Sequence, residues 1–120
     1  MDAKILIVDD ARFMRRLLRY MLTGAGYSEI MEASDGEEAI RQFQEHRPDL
    51  VLLDITMPGM PGMEVLTRLL EIAPGTRIII CSAIGQETVI EKAKQAGACG
   101  FIHKPFVLDE LLEAVTRALA

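Results

Sequence analysis

The candidate chemistry of this chain lies where short hydrophobic runs end in acidic side chains. The run at 50–53 leads directly into Asp54, and the run at 5–8 leads into Asp9 and Asp10. Such runs are typical of strands buried on both faces, where an ionised carboxylate at the strand end must face water or a cation. For Asp54 alone, turn chemistry before a Pro/Gly-rich loop competes. The second acidic strand end favours a binding site.

Two further hydrophobic runs end in side chains that suit an anion. Ser82 follows the run at 77–81, and Lys104 follows the run at 99–103. Taken singly, Ser82 would be a helix N-cap and Lys104 a surface lysine. Three carboxylates brought together need a cation, and oxygen ligands without His or Cys select Mg²⁺ over zinc. A metal, a lysine and a hydroxyl together are suited to holding a phosphoryl group.

An aspartate can itself accept that phosphoryl group as an aspartyl phosphate. Asp9 and Asp10 are adjacent, so each weakens the other as a nucleophile, and together they favour metal binding. Asp54 stands alone on another strand end and is the better candidate for the acceptor.

The elements that position these residues alternate between strands and helices. Hydrophobic runs predict strands at 4–8, 29–33, 50–53, 77–81 and 99–103, and helical spacing predicts helices at 12–24, 34–47, 63–73, 86–96 and 108–119. Short loops between them predict an α/β fold, with a parallel sheet covered by helices on both faces. The carboxyl ends of the strands then share one edge, whatever the strand order.

Composition limits the function classes. The chain has 120 residues, a length typical of one domain, and a net charge of -5 that argues against nucleic acid as a partner. No apolar run is long enough to cross a bilayer, and no signal-peptide profile precedes the first strand, so we expect a soluble cytoplasmic protein without membrane contact. Cys81 and Cys99 lie in apolar segments and are predicted to be buried, reduced thiols.

Three secondary features have competing interpretations. The first helix carries an arginine stripe, which we interpret as a solvated face, with a docking surface for an acidic partner as the alternative. Its members are Arg12, Arg15, Arg16 and Arg19. His103 shares a strand face with Phe101 and is expected to face solvent without a role, the alternative being a partner surface. The helix at 86–96 has a thin apolar face, which predicts low local stability.

The combined motifs resemble the response-regulator receiver family. The matching segments are Ile7-Val8-Asp9-Asp10, Leu53-Asp54-Ile55-Thr56-Met57-Pro58, Ser82-Ala83 and Lys104-Pro105-Phe106. Together they span the whole chain in order and spacing, and the opening of the first helix is most similar to stand-alone chemotaxis regulators of the CheY type. The resemblance implies a flavodoxin-like five-stranded sheet with strand order 2-1-3-4-5.

The resemblance also implies a phosphorylation-controlled switch of a two-component system, not a multiple-turnover enzyme. Asp54 would accept the phosphoryl group from the phosphohistidine of a histidine kinase. Asp10, Asp54 and the backbone carbonyl of Thr56 would bind Mg²⁺ directly, and Asp9 partly through water. Lys104 would pair with the phosphoryl group.

In the implied switch, Ser82 hydrogen-bonds the phosphoryl group and moves inward, and Phe101 rotates into the space that it leaves. The surface of the fourth helix, fifth strand and fifth helix would then change. Chemotaxis regulators often carry Tyr at the position of Phe101, so switching here must depend on packing alone. Water for self-dephosphorylation would pass Thr56 and Ile84, and the bulk of Ile84 would slow it.

The implied partners are a histidine kinase, a phosphatase and a downstream target, for which the flagellar motor switch is the leading candidate. We expect residues 1–120 to be a single receiver domain without an output domain, acting as a monomer. One alternative is a single-domain phosphorelay shuttle. A Mg²⁺-dependent aspartyl-phosphate phosphohydrolase is more remote, because Thr56 stands where such enzymes carry a second Asp. An FMN carrier is disfavoured because Asp9 and Asp10 replace a phosphate cradle.

Overall fold

The computed structural model describes residues 3–120, which form five strands alternating with five α-helices. The strands are β1 (Lys4–Val8), β2 (Glu29–Ala33), β3 (Leu50–Asp54), β4 (Arg77–Ser82) and β5 (Gly100–His103). The helices are α1 (Arg12–Gly24), α2 (Gly36–His46), α3 (Gly62–Ile72), α4 (Glu87–Ala96) and α5 (Leu108–Leu119). The predicted elements are confirmed, with boundaries within two residues of those expected.

All neighbouring strands are parallel, and their order is β2-β1-β3-β4-β5. This is the flavodoxin-like arrangement that the family resemblance implied, and it is confirmed. Because β1 lies beside β3, the two acidic strand ends are neighbours. Because β4 lies beside β5, Ser82 is directly opposite His103. The candidate residues therefore share one edge of the sheet, as predicted.

Alternating strand residues divide the interior into two hydrophobic layers. Leu6, Val51 and Leu53 pack with side chains of α2, α3 and α4 on one face. Ile5 and Leu52 pack with α1 and α5 on the other. The central strands are therefore buried on both sides, which explains their continuous hydrophobic sequences.

A close approach at Gly62 sets the start of α3 against the end of β3. A Cβ atom at Gly62 would lie 2.7 Å from both the Cα and the carbonyl oxygen of Ile55, a distance that no real side chain tolerates. The missing side chain lets the helix pack directly over the residue after Asp54. The loop beside the acidic strand end is thereby held in place.

One prediction about side chains holds only in part, and another is wrong. The arginine stripe of α1 is only partly solvated, because Arg15 and Arg19 both form ion pairs with Glu32 on β2. Cys99 is exposed, because it precedes β5 at the outer edge of the sheet; Cys81 is buried as expected. Within residues 3–120, none of the helices combines the length and hydrophobicity needed to cross a bilayer.

Candidate functional site

Three carboxylates converge at the carboxyl edge of the sheet. One oxygen from each of Asp9, Asp10 and Asp54 lies within 4.8 Å of the others. Asp9 is 1% exposed and Asp54 is 2% exposed, whereas Asp10 is exposed. An all-oxygen donor set of this charge suits a hard divalent cation. The residues present therefore fit the cation site that the sequence predicted.

Lys104 bridges the two buried carboxylates. Its Nζ lies 3.0 Å from Asp9 Oδ2 and 3.2 Å from Asp54 Oδ2. Its backbone N–H donates to the carbonyl of Ser82 at 2.7 Å, and the bond to Pro105 is cis. Burial by itself would lower the pKa of Lys104, but the two carboxylates outweigh burial and raise it. The ammonium group therefore stays charged and partly neutralises the cluster.

Burial disfavours the charged form of Asp9. Burial raises the pKa of Asp9, and the nearby charge of Asp54 adds to that effect. Hydrogen bonds from the Ala11 N–H, 2.9 Å from Oδ1, and from Lys104 act in the opposite direction without cancelling it. The ionised cluster is thus only partly compensated, and additional positive charge at this edge would be favourable.

The carboxylate of Asp54 is held at both oxygens. Oδ1 accepts hydrogen bonds from the backbone N–H of Thr56 at 3.0 Å and from its hydroxyl at 3.1 Å. Oδ2 accepts from Lys104. Thr56 itself is exposed, so the carboxylate lies directly beneath the surface. This arrangement fixes the orientation of Asp54 and leaves it close to an approaching molecule.

Ser82 lies at the same edge, but its side-chain contact is with β5. The hydroxyl is fully buried and lies 3.5 Å from His103 Nδ1, a long hydrogen bond. The His103 ring meets the Phe101 ring edge to face, with centroids 5.4 Å apart. Lys94 of α4 places its Nζ 4.6 Å from the centroid of Phe101, which is 38% exposed.

His103 is the residue that sequence reasoning missed. It was expected to face solvent without a role, yet it is half-buried between Ser82 and Phe101. The strand pairing that places Ser82 opposite His103 could have indicated this contact once the order of the strands was known. His103 thus lies in contact with both the buried Ser82 hydroxyl and the partly exposed ring of Phe101.

The loop between β4 and α4 is open to solvent. Ile84 is 78% exposed, and the Ala83 N–H is capped by the side chain of Gln86 at 2.7 Å. In α4 itself, only Ile90 and Ala93 are buried. The small anchored area agrees with the prediction that this helix is weakly held.

The strand order of this parallel sheet defines a flavodoxin-like α/β protein. The acidic cluster and the lysine at the carboxyl edge of the sheet form a candidate cation site. The family model described as "Response regulator receiver domain" matches residues 5–116. The chain therefore belongs to the response-regulator receiver family, as the motifs indicated.

Individual relatives make the similarity more specific. The chain is 46% identical to chemotaxis protein CheY of Bacillus subtilis, covering 99% of both chains. It is 41% identical to sporulation initiation phosphotransferase F of the same species, covering 99% of this chain and 95% of that protein. The crystal structure of chemotaxis protein CheY4 from Vibrio cholerae superposes with a TM-score of 0.92 at 32% identity, covering 99% and 100%. The chain is thus a CheY-like receiver domain of a two-component response regulator.

Proposed function

We propose that this protein is a signalling switch that accepts a phosphoryl group on Asp54 from the phosphohistidine of a histidine kinase. The observation that carries the proposal is the environment of Asp54: a fixed carboxylate beside a lysine and two further carboxylates, just beneath the surface. Asp9 and Asp10 are adjacent at one strand end and together favour metal binding, which leaves Asp54, alone at its strand end, as the acceptor. The family of the chain supports the same role.

The proposed cofactor is Mg²⁺, held by Asp9, Asp10, Asp54 and the backbone carbonyl of Thr56. The support is the clustering of three carboxylate oxygens, whose charge Lys104 neutralises only in part. When bound, Mg²⁺ would neutralise carboxylate charge and help to bind phosphoryl oxygens.

The protein contributes positioning and charge to the proposed transfer. An oxygen of Asp54 bonds to phosphorus as the bond to the histidine nitrogen breaks, and the leaving imidazole takes up a proton. Thr56 keeps the attacking carboxylate in orientation through its two hydrogen bonds. Lys104 exchanges a carboxylate partner for a phosphoryl oxygen, and the Ser82 hydroxyl donates to another. Ile84 tunes the subsequent hydrolysis by limiting access of water.

The proposed output passes from Ser82 to the surface formed by α4, β5 and α5. When the Ser82 hydroxyl turns towards the phosphoryl group, it leaves His103, and Phe101 rotates inward. A downstream target that binds the changed surface more tightly then stabilises it. The relatives named chemotaxis protein CheY support chemotaxis as the pathway. The flagellar motor switch is the target that we propose from the family resemblance. The protein would act in the cytoplasm as a monomeric receiver domain, and a phosphatase would shorten the signal.

A phosphorelay shuttle is the second candidate, favoured by the 41% identity to a protein named sporulation initiation phosphotransferase F. A shuttle passes its phosphoryl group to a second protein, whereas a chemotaxis switch binds a target while keeping it. Incubating the radiolabelled phosphoprotein with a histidine phosphotransfer domain would distinguish the two, because only a shuttle loses its label to the partner.

The proposal is tested by incubating the protein with Mg²⁺ and acetyl phosphate and measuring the intact mass. We expect one added phosphoryl group, which is absent without Mg²⁺ and absent in Asp54→Asn. Asp109→Asn, which removes an exposed carboxylate on α5, is the matched control and should be phosphorylated normally. An adduct that survives in Asp54→Asn would refute the assignment, and steady release of phosphate over many turnovers would favour a phosphohydrolase.

A further inference from the structure

Arg15 connects the acidic cluster to the edge strand β2. Its Nη1 donates to the main-chain carbonyl of Asp9 at 2.8 Å, and its Nε donates to Oε1 of Glu32 at 3.0 Å. The side chain is only 15% exposed, although it lies in the first turn of a surface helix. It therefore reaches back from α1 to the end of β1 and does not extend into solvent.

Glu32 is in turn fixed by a second arginine. Arg19 Nε donates to Glu32 Oε2 at 2.6 Å, and Arg19 Nη2 donates to the carbonyl of Ile30 at 3.0 Å. Burial opposes the ionisation of Glu32, but the hydrogen bonds from Arg19 and Arg15 outweigh it and lower its pKa. Glu32 is thus a charged acceptor with both oxygens occupied, so it holds the Arg15 guanidinium in one orientation.

The contacts around Asp9 differ in whether they would persist when a phosphoryl group binds at the site. Its N–H donates to the carbonyl of Ala33 at 3.1 Å, and its carboxylate accepts from Ala11 and Lys104. Under the proposed function, Lys104 changes partners when the phosphoryl group arrives. The two donations of Arg15 go to a backbone carbonyl and to Glu32, neither of which changes partner in the proposed transfer. Arg15 can hold the strand end through the whole cycle.

We propose that Arg15 is a positioning residue for the cation site and fixes the backbone from which Asp9 and Asp10 present their carboxylates. The inference rests on the proposed Mg²⁺ site. Removing a residue that orients metal ligands without binding the metal itself typically weakens metal affinity by about 10- to 100-fold. The charge of Arg15 alone has the opposite effect, because a cation near three carboxylates competes with a bound metal ion. Positioning and charge therefore predict opposite results.

The test is the affinity for Mg²⁺, measured by isothermal titration calorimetry on the phosphate-free protein. We expect Arg15→Gln to bind Mg²⁺ about tenfold more weakly. Arg15→Lys keeps the charge but lacks the planar fork that makes both donations, so it should also bind more weakly. Arg16→Gln is the matched control: it makes the same charge change at an exposed position on the same helix and should stay within about twofold of the wild type.

A second measurement needs no metal. Hydrogen exchange at the Ala11 amide, which is bonded to Asp9 Oδ1, should be faster in Arg15→Gln than in the wild type and unchanged in Arg16→Gln. Unchanged or tighter Mg²⁺ binding in Arg15→Gln, or an unchanged exchange rate, would overturn the inference. If Arg15→Gln does not fold, the test rests on Arg15→Lys alone. Wild-type Mg²⁺ affinity and a wild-type exchange rate in Arg15→Lys would also overturn the inference. If the wild type does not bind Mg²⁺, the proposed function fails, and the exchange rate still tests the positioning role.

Discussion

Replacing Lys104 with Met should destabilise the metal-free protein, and the loss should depend on pH. Lys104 is the cation between two carboxylates that are almost completely buried, while 21% of its own side chain is exposed. Methionine has similar length and fills the same space without charge. The substitution would therefore leave Asp9 and Asp54 facing each other without a compensating charge.

The expected loss at neutral pH is about 2–3 kcal/mol. At an effective dielectric constant of about 20, each ion pair at this separation contributes about 5 kcal/mol of Coulomb energy. Desolvation of the charges offsets much of that gain, and removing one partner of a buried pair typically costs about 3–5 kcal/mol. The partial exposure of Lys104 reduces the effect to just below that range.

The pH dependence follows from the direction of the pKa shifts. The pKa of Asp9 is raised above its ordinary value of 3.8. The folded protein therefore binds this proton more tightly than the unfolded chain does, and stability falls as the pH rises above 3.8 through the folded pKa. Without Lys104 the pKa of Asp9 would be higher still, so the fall would be steeper and extend further. The variant should lose least in acid, where protonation of Asp9 removes its charge.

The assay is urea unfolding of wild type and Lys104→Met at about pH 4 and pH 7, without metal. Lys92→Met, which removes an exposed lysine on α4, is the control and should cost less than about 1 kcal/mol at both values. An equal loss at both pH values would mean that packing, not charge, is responsible. A variant as stable as the wild type at pH 7 would refute the electrostatic reasoning.

Three further predictions concern the loops and α4. Gly62→Ala should lower the free energy of unfolding in urea by about 1–3 kcal/mol, because the new Cβ would meet main-chain atoms just after β3. The control is Gly24→Ala, where the new Cβ enters open space; it should change stability by less than about 1 kcal/mol. Lys94→Met removes a cation–π contact worth about 0.5–1 kcal/mol. The population of the inward rotamer of Phe101, measured by NMR, should therefore rise about two- to fivefold. An unchanged population would show that the contact does not hold the ring. Ile84→Ala should shorten the lifetime of the phosphorylated protein, and an unchanged lifetime would remove Ile84 from the site.

The sheet and its acidic edge could be predicted because they follow from local patterns. A strand buried on both faces needs a continuous hydrophobic run, and parallel strands must end at a common edge. Those two facts bring Asp9, Asp54 and Lys104 together without any knowledge of the strand order. The common edge does not by itself predict the contacts of Lys104 with the two carboxylates, which require its side chain to reach across the ends of β4 and β3.

Contacts that depend on neighbouring elements could not be predicted in the same way. Helical spacing assigns Arg15 to a face of α1, but it does not reveal that the edge strand facing it carries Glu32. Strand alternation places His103 on the face of Phe101, but its contact with Ser82 requires β4 and β5 to be neighbours in a particular register. The strand order came from the family resemblance, and no residue pattern supplied it.

The position of Lys104 suggests how Phe101, which has no hydroxyl, can respond to phosphorylation at the site. Lys104 directly follows β5, and its backbone N–H is bonded to the carbonyl of Ser82 while its side chain reaches the ends of β1 and β3. In the proposed switch, a change of partner at its ammonium group therefore acts on the end of β5 through the chain itself. His103 and Phe101 are the residues just before it, and their rings are already in contact. In that switch a hydroxyl on the aromatic ring is unnecessary, because displacement of β5 and the His103 ring would carry the change to the surface.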